Sequence, residues 1–218
     1  MSDVAAFLKG CSVNEFVLQG GEPLIMTGCI EFIDWLAQRH DPKLTLLTNG
    51  VSMRGARLDL IAGACRRIIV SINAATRSTY ATVMGYDLFE TVVKNVKRAA
   101  SRSRSTQPEI EVHMTIVPEN VLEVGMFLSL ASDLGADRIS FCSDCRTDST
   151  PVAIDVDSAI ACQLRADLAS FLHGVGDRPH IDPASARHLA VLLRLEETSG
   201  ELWGALCREG LESGDAHV

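Results

Sequence analysis

The chain of 218 residues is 47% hydrophobic and only 22% charged, enough apolar material for one sizeable core. A net charge of -8, with no block of consecutive Lys or Arg, argues against nucleic acid and anionic membranes as principal partners. The apolar runs stop well short of the ~20 residues that cross a bilayer, and the opening Met1-Ser2-Asp3 begins no signal peptide, so the expected location is the cytoplasm. Seven scattered cysteines, an odd number, form no disulfide framework, and most are expected to be small buried hydrophobes.

Short β-branched runs alternate with longer runs of helical period, the pattern of parallel strands joined by crossover helices. In chain order the pattern predicts a helix over 4–9, a strand over 15–19, a helix over 24–39, a strand over 43–48 and a helix over 55–64. It continues with a strand over 67–73, a helix over 88–102, a strand over 109–117, a helix over 120–134 and a strand over 138–142. Leu122, Met126, Leu130 and Leu134 fall on one predicted helix face. The segments 101–106 and 144–157 read as polar loops, 159–172 and 184–197 as helices, and no strand signal follows residue 150. The expected division is a core over 1–150 and a helical extension over 151–218.

Successive strand residues face opposite ways, and the split is informative. Ile110, Val112, Met114 and Ile116 oppose Glu111, His113 and Thr115; Ile68, Val70 and Ile72 oppose Ser71 and Asn73; Phe16 and Leu18 oppose Glu15 and Gln19. A doubly wound sheet, covered on both faces, favours apolar residues in both sets, whereas a lumen that holds a ligand leaves one set polar. The expected fold is therefore α/β, a barrel or partial barrel.

Gly20-Gly21-Glu22-Pro23 follows the first predicted strand directly and opens a helix. Two glycines let the backbone bend and bring its carbonyls close to a ligand, and Glu22 sets a carboxylate at the strand's C-terminal edge, where parallel barrels place their sites. Carbonyls and a carboxylate suit a ligand ammonium. Taken alone, the same four residues are equally an ordinary strand-to-helix connection with Pro in the first turn.

The chain resembles the radical S-adenosylmethionine (SAM) superfamily through Val17-Leu18-Gln19-Gly20-Gly21-Glu22-Pro23-Leu24, then Leu46-Leu47-Thr48-Asn49-Gly50 and Val70-Ser71-Ile72-Asn73-Ala74, in order and spacing. The likeness continues through Phe89 to Val96, Thr115 to Asn120 and Leu134 to Phe141, and is strongest to the branch with a C-terminal SPASM-type auxiliary-cluster domain. The resemblance implies a partial (β/α) barrel and reductive cleavage of SAM by a [4Fe-4S] cluster to a 5'-deoxyadenosyl radical that abstracts hydrogen from a substrate. It implies that Gly20, Gly21 and Glu22 hold the methionyl ammonium, that Ser71 and Asn73 bond the ribose, and that Ile116 and Val117 pack the adenine. Strand-end polarity and core packing are the simpler explanations of those last four. Glu111, His113 and Thr115 project to the same lumen as candidates for substrate or SAM carboxylate, though a lone His on a strand is more often structural.

The superfamily binds its cluster through a CxxxCxxC loop, which leaves one iron for SAM. No CxxxCxxC occurs here, and Cys11 stands alone before Gly20, so the expectation is a chain that begins inside the domain, without the first strand and cluster loop. Cys142-Ser143-Asp144-Cys145 is a weak metal signal, and Cys207 falls where an auxiliary domain would supply its first cysteine. The resemblance further implies an electron donor such as flavodoxin or ferredoxin and a peptide, sugar or small-molecule substrate. The alternative is a degenerate SAM- or nucleotide-binding module without radical chemistry. An aldolase-like barrel lacks a Schiff-base lysine at a strand end, since Lys43 begins a strand and Lys94 and Lys97 lie on a helix. The expected open edge beside 15–19 predicts aggregation or dimerisation.

Overall fold

The protein is described from a computed structural model, covering residues 13, 15–38, 44–103, 108–143, 158–174, 178–195 and 199–212. The predicted helix over 4–9, Cys11, Cys145 and the segment 144–157 lie outside the described residues. Among the described residues six strands are present: β1 (Phe16–Leu18), β2 (Leu44–Thr48), β3 (Cys65–Ser71), β4 (Glu109–Ile116), β5 (Arg138–Ser143) and β6 (His180–Ile181). They form one sheet in the order β1-β2-β3-β4-β5-β6, and every neighbouring pair is parallel. Each crossover therefore steps to the adjacent strand in the same direction. Because such crossovers are right-handed, a sheet wound this way carries its helices on one face and leaves the other as an inner wall. The sheet is an open partial barrel, since β1 and β6 do not pair with each other.

The helices are α1 (Thr27–Ala37), α2 (Ala56–Ala64), α3 (Arg77–Met84), α4 (Phe89–Ser103), α5 (Val124–Leu134), α6 (Ala159–Leu172), α7 (Pro183–Leu192) and α8 (Gly200–Glu212). Their apolar faces meet the outer strand residues Leu44, Leu46, Ile68, Val70, Ile110, Val112, Met114, Ile116, Ile139 and Phe141, all in one buried cluster. Register explains the alignment: Ile68 pairs with Ile110, Val70 with Val112, Val112 with Ile139 and Met114 with Phe141, so one apolar row crosses the sheet. The opposite row holds Thr45, Arg67, Ser71, Glu111, His113, Thr115, Arg138, Ser140 and Cys142. Its polarity is not complete, because Val17, Leu47 and Ile69 share that face.

Four sequence expectations are corrected. The helix over 24–39 is broken: a 3-10 turn covers Pro23–Ile25, Met26 is extended, and α1 starts only at Thr27. The helix over 120–134 also begins as a 3-10 turn, Val121–Glu123, which shifts the phase of the buried stripe. Leu122 and Met126 are consequently 58% and 48% exposed, and the buried face is Val124, Phe127, Leu128, Ala131 and Leu134. α3 carries no apolar stripe in its sequence and is set by its ends: the Thr76 hydroxyl accepts from Thr79 N, and Gly85 closes the helix in the left-handed conformation. A strand does follow residue 150: β6 is two residues long, and His180 N and Asp182 N donate to the carbonyls of Asp137 and Ile139. α7 then docks through Ser185, whose hydroxyl donates to Phe141 O and accepts from Phe141 N at 2.7 Å.

Candidate functional site at the strand ends

The site is built where β1 to β5 end, the face on which parallel α/β folds gather ligands. Gly20 and Gly21 have φ of 98° and 56°, and a Cβ at either would meet nothing within 4 Å. Conformation, not space, requires glycine there. The bend turns Glu22 back across the sheet. Its Oε1 accepts from Thr48 Oγ1 at 2.7 Å and Leu24 N at 3.1 Å, and its Oε2 accepts from Asn49 N at 2.7 Å. A carboxylate offers about four lone-pair sites, so roughly one remains for a ligand donor. Glu22 is thus both a clamp between the loops after β1 and β2 and an acceptor with capacity left. The Thr48-Asn49-Gly50 turn, which needs no function to explain its sequence, is the other half of that clamp.

Gly50 has φ 75°, and a Cβ on it would lie 2.7 Å from Val70 Cγ1. The buried Asn95 of α4 donates to Gly50 O at 2.9 Å and Val51 O at 3.1 Å, fixing the turn from below.

Asn73, after β3, sits at φ 59°. Asparagine tolerates that region when its side chain bonds locally, and here Oδ1 accepts from Thr115 N at 2.8 Å. Its Nδ2 donates to the weak acceptor Met84 Sδ at 3.5 Å, and an amide carries two such N–H donors. Asn120 is fully buried and joins the ends of β3 and β4: Nδ2 donates to Asn73 O at 2.9 Å and Thr115 O at 2.8 Å, and Oδ1 accepts from Val117 N at 2.8 Å. Glu123 repeats the Glu22 device, its carboxylate accepting from Ala75 N, Thr76 N and Thr76 Oγ1 at 2.7, 3.1 and 2.6 Å. Asn95, Asn120 and Glu123 were not singled out from the sequence. Their only signal is a polar residue at a fixed offset from a strand end, which many loops share.

Val117 offers less than its sequence position suggests. Its N–H is held by Asn120 Oδ1, and its carbonyl accepts from Asn120 N and Val121 N, both at 3.1 Å. The Ile116 side chain is buried in the outer core, away from the inner wall. What this pair presents to a ligand is the half-buried Val117 side chain.

Below the rim, the inner wall brings His113, Thr115, Ser140 and Cys142 together. His113 Nδ1 lies 2.9 Å from Ser140 Oγ, and Nε2 lies 3.4 Å from both Thr115 Oγ1 and Cys142 Sγ. Burial pushes the His113 pKa below the ordinary imidazole value, against the opposing field of Asp182. Further down, Arg67 and Arg138 interlock with Glu109, Glu111 and Asp182, at 2.7 Å for Arg67–Glu109 and 3.3 Å for Arg138–Asp182. Glu111, 4% exposed, has its pKa raised by burial, eased by the Ser140 hydroxyl and by the charges of Arg67 and Arg138. These ion pairs lie towards the N-terminal ends of β3, β4 and β5, away from the strand-end loops. Ser71 lies on the same wall, level with His113. Among the described residues no group of three or more His, Cys, Asp or Glu is placed to hold a metal, and Cys65 is a buried thiol pushed up to about 12. No helix among them is long and apolar enough to cross a membrane.

The sequence model of the radical SAM superfamily matches residues 2–131. A probable GTP 3',8-cyclase of Saccharolobus islandicus is 27% identical over 136 residues, 62% of this chain and 43% of the relative. A GTP 3',8-cyclase of Rhodopirellula baltica is 30% identical over 77 residues, 35% of this chain and 21% of its own length. The chain thus spans less than half the length of these curated relatives. Among solved structures, Streptococcus suis SuiB bound to SAM superposes with a TM-score of 0.58 at 12% identity, over 78% of this chain and 37% of that one. A domain of a pyruvate-formate lyase-activating enzyme from Bacteroides vulgatus gives 0.52 at 15% identity, over 78% and 99%. These likenesses show the fold.

Proposed function

The chain belongs to the radical SAM superfamily, and from that premise we propose that its strand ends bind SAM and that the parent activity is SAM-dependent hydrogen abstraction from a substrate. The observation that carries the reading is Glu22: a carboxylate with about one acceptor site left, beside two left-handed glycines, at the mouth of a polar lumen. The Gly20 and Gly21 carbonyls and Glu22 Oε2 receive the ligand ammonium, the Asn73 amide and Ser71 hydroxyl receive ribose hydroxyls, and Val117 covers one base face. Glu111, His113 and Thr115, with Cys142, line the wall beneath.

The residues present do not fit a [4Fe-4S] cluster. The sequence has no CxxxCxxC, and no metal-holding group occurs among the described residues, so no step is assigned to a cluster or to its flavodoxin- or ferredoxin-type electron donor. For residues 1–218 the proposal is SAM binding without SAM cleavage, the behaviour of a non-radical binding module. When bound with a cluster, SAM supplies reductive cleavage and hydrogen-atom abstraction.

Calorimetry with SAM on the wild type and on Glu22→Gln tests the site. Gln keeps an oxygen for Asn49 N–H but loses the charge that holds an ammonium, so binding should weaken at least ~10-fold while the fold persists. Equal affinities, or no binding by the wild type, would remove the site. Formation of 5'-deoxyadenosine by residues 1–218, after anaerobic reconstitution with iron, sulfide and reductant, would overturn the claim of binding without cleavage.

A further inference from the structure

The cofactor contacts leave the inner-wall group of β4 and β5 unused. Thr115 is paired with Cys142 and His113 with Ser140, so these four side chains project from two neighbouring strands to the same face. A neutral imidazole donates from one nitrogen and accepts at the other. With the proton on Nδ1, His113 donates to Ser140 Oγ at 2.9 Å, and Nε2 becomes an acceptor facing the Cys142 thiol at 3.4 Å. Thr115 Oγ1 is 3.4 Å from the same nitrogen and 3.6 Å from the sulfur, which closes a triangle around the thiol. Burial favours the neutral imidazole, the form with an open acceptor nitrogen, so it is the 3.4 Å approach of the thiol, not added basicity, that makes His113 the base. A nucleophile, a base within reach of it and a third group that orients the base make up the arrangement that activates a thiol.

We propose that Cys142 is a nucleophilic thiol of the lumen, with His113 as its base and Ser140 as the positioning residue, suited to a ligand presenting an electrophilic carbon. As the sulfur–carbon bond forms, the thiol proton passes to His113 Nε2 and the leaving group departs with the electron pair of its bond to that carbon. The charged groups packed around the pair are Glu111 on β4, Arg138 on β5, Arg67 on β3 and Asp182 after β6. They are paired among themselves, and of them only Asp182 acts on the His113 titration, opposing the larger effect of burial. The proposal is independent of SAM binding.

The test uses residues 1–218 and iodoacetamide, with alkylation followed at each cysteine by peptide-resolved mass spectrometry. In that reaction the Cys142 sulfur bonds the methylene carbon and iodide leaves. The half-buried Cys142 should react at least ~10-fold faster at pH 7 than the exposed Cys207, with a rate shoulder below the ordinary thiol range that follows His113. His113→Gln should abolish the shoulder and slow Cys142 at least ~10-fold with Cys207 unchanged. Ser140→Ala should slow it several-fold, and Ser140→Thr should restore it. If His113→Gln does not fold, the Ser140 pair and the wild-type pH profile decide. A Cys142 rate no faster than that of Cys207, or a pH profile that tracks Cys207, would overturn the proposal.

Discussion

Replacing Asn120 with Ala removes three hydrogen bonds at once, to Asn73 O, Thr115 O and Val117 N, from a residue with no exposed surface. Each such bond contributes a net ~0.5–1.5 kcal/mol, so the loss should be ~3 kcal/mol. In a chain of this size 1 kcal/mol moves the melting temperature by about 2–4 °C, which places the expected drop near 6–12 °C. Asn120→Asp sharpens the test. It keeps an acceptor for Val117 N–H but turns the donor amide into an oxygen facing two carbonyl oxygens, so it should cost more than Ala despite its closer shape. Urea unfolding of the wild type and both variants measures the two differences. A loss below ~0.5 kcal/mol for Ala, or a milder effect for Asp, would refute the assignment of Asn120 as the lock between the ends of β3 and β4. Asn73 is held at positive φ by the same contacts, so SAM affinity should fall in parallel with stability.

Three further outcomes follow from the geometry. Gly50→Ala should destabilise by roughly 2–4 kcal/mol in thermal or urea unfolding, combining a strained left-handed backbone with a Cβ placed 2.7 Å from Val70 Cγ1; an unchanged midpoint would contradict it. The depressed pKa of His113 means that the unfolded chain binds its proton at higher pH than the folded one, so this residue's effect on stability should worsen as pH falls below about 6.5, the unfolded imidazole value. The stability difference between wild type and His113→Gln, measured from pH 8 to pH 5, should therefore move against the wild type on the acid side, and a flat difference would refute this. Finally, β1 pairs only with β2 among the described strands and leaves Val17 55% exposed, so light scattering should show association that rises with concentration and is reduced by Val17→Lys. A monomer at every concentration would count against an adhesive edge.

The strands were legible where period and side-chain type agreed. β4 shows this best: Ile110, Val112, Met114 and Ile116 are buried under helices, and His113 and Thr115 face inward as the alternation required. Helix phase was less legible, because a single 3-10 turn rotates everything after it. At Val121–Glu123 the inward pull of Asn120 and Glu123 sets that turn, and neither residue contributes to an apolar stripe that a sequence pattern could detect. β6 was invisible for a different reason. Two residues carry no periodicity, and the strand is defined by its pairing alone: the carbonyls of Asp137, just before β5, and of Ile139 accept from His180 N and Asp182 N.

The candidate site divides the same way. Gly20 and Gly21 announced themselves, since consecutive glycines at a strand end mark a backbone that L side chains resist, and both do adopt positive φ. Glu22 was placed at the strand end as a carboxylate for a ligand, but its clamping of two loops could not be read, because its partners Thr48 and Asn49 lie 26 and 27 residues away and become neighbours only through the parallel pairing of β1 with β2. The same holds for His113 and Cys142, 29 residues apart and joined by the β4–β5 register. Local chemistry is written in the chain one residue at a time, whereas a site made across adjacent parallel strands depends on crossover length and register. Hence the two glycines could be assigned a conformation from sequence, but the clamp they serve, and the thiol–imidazole pair below it, required the fold.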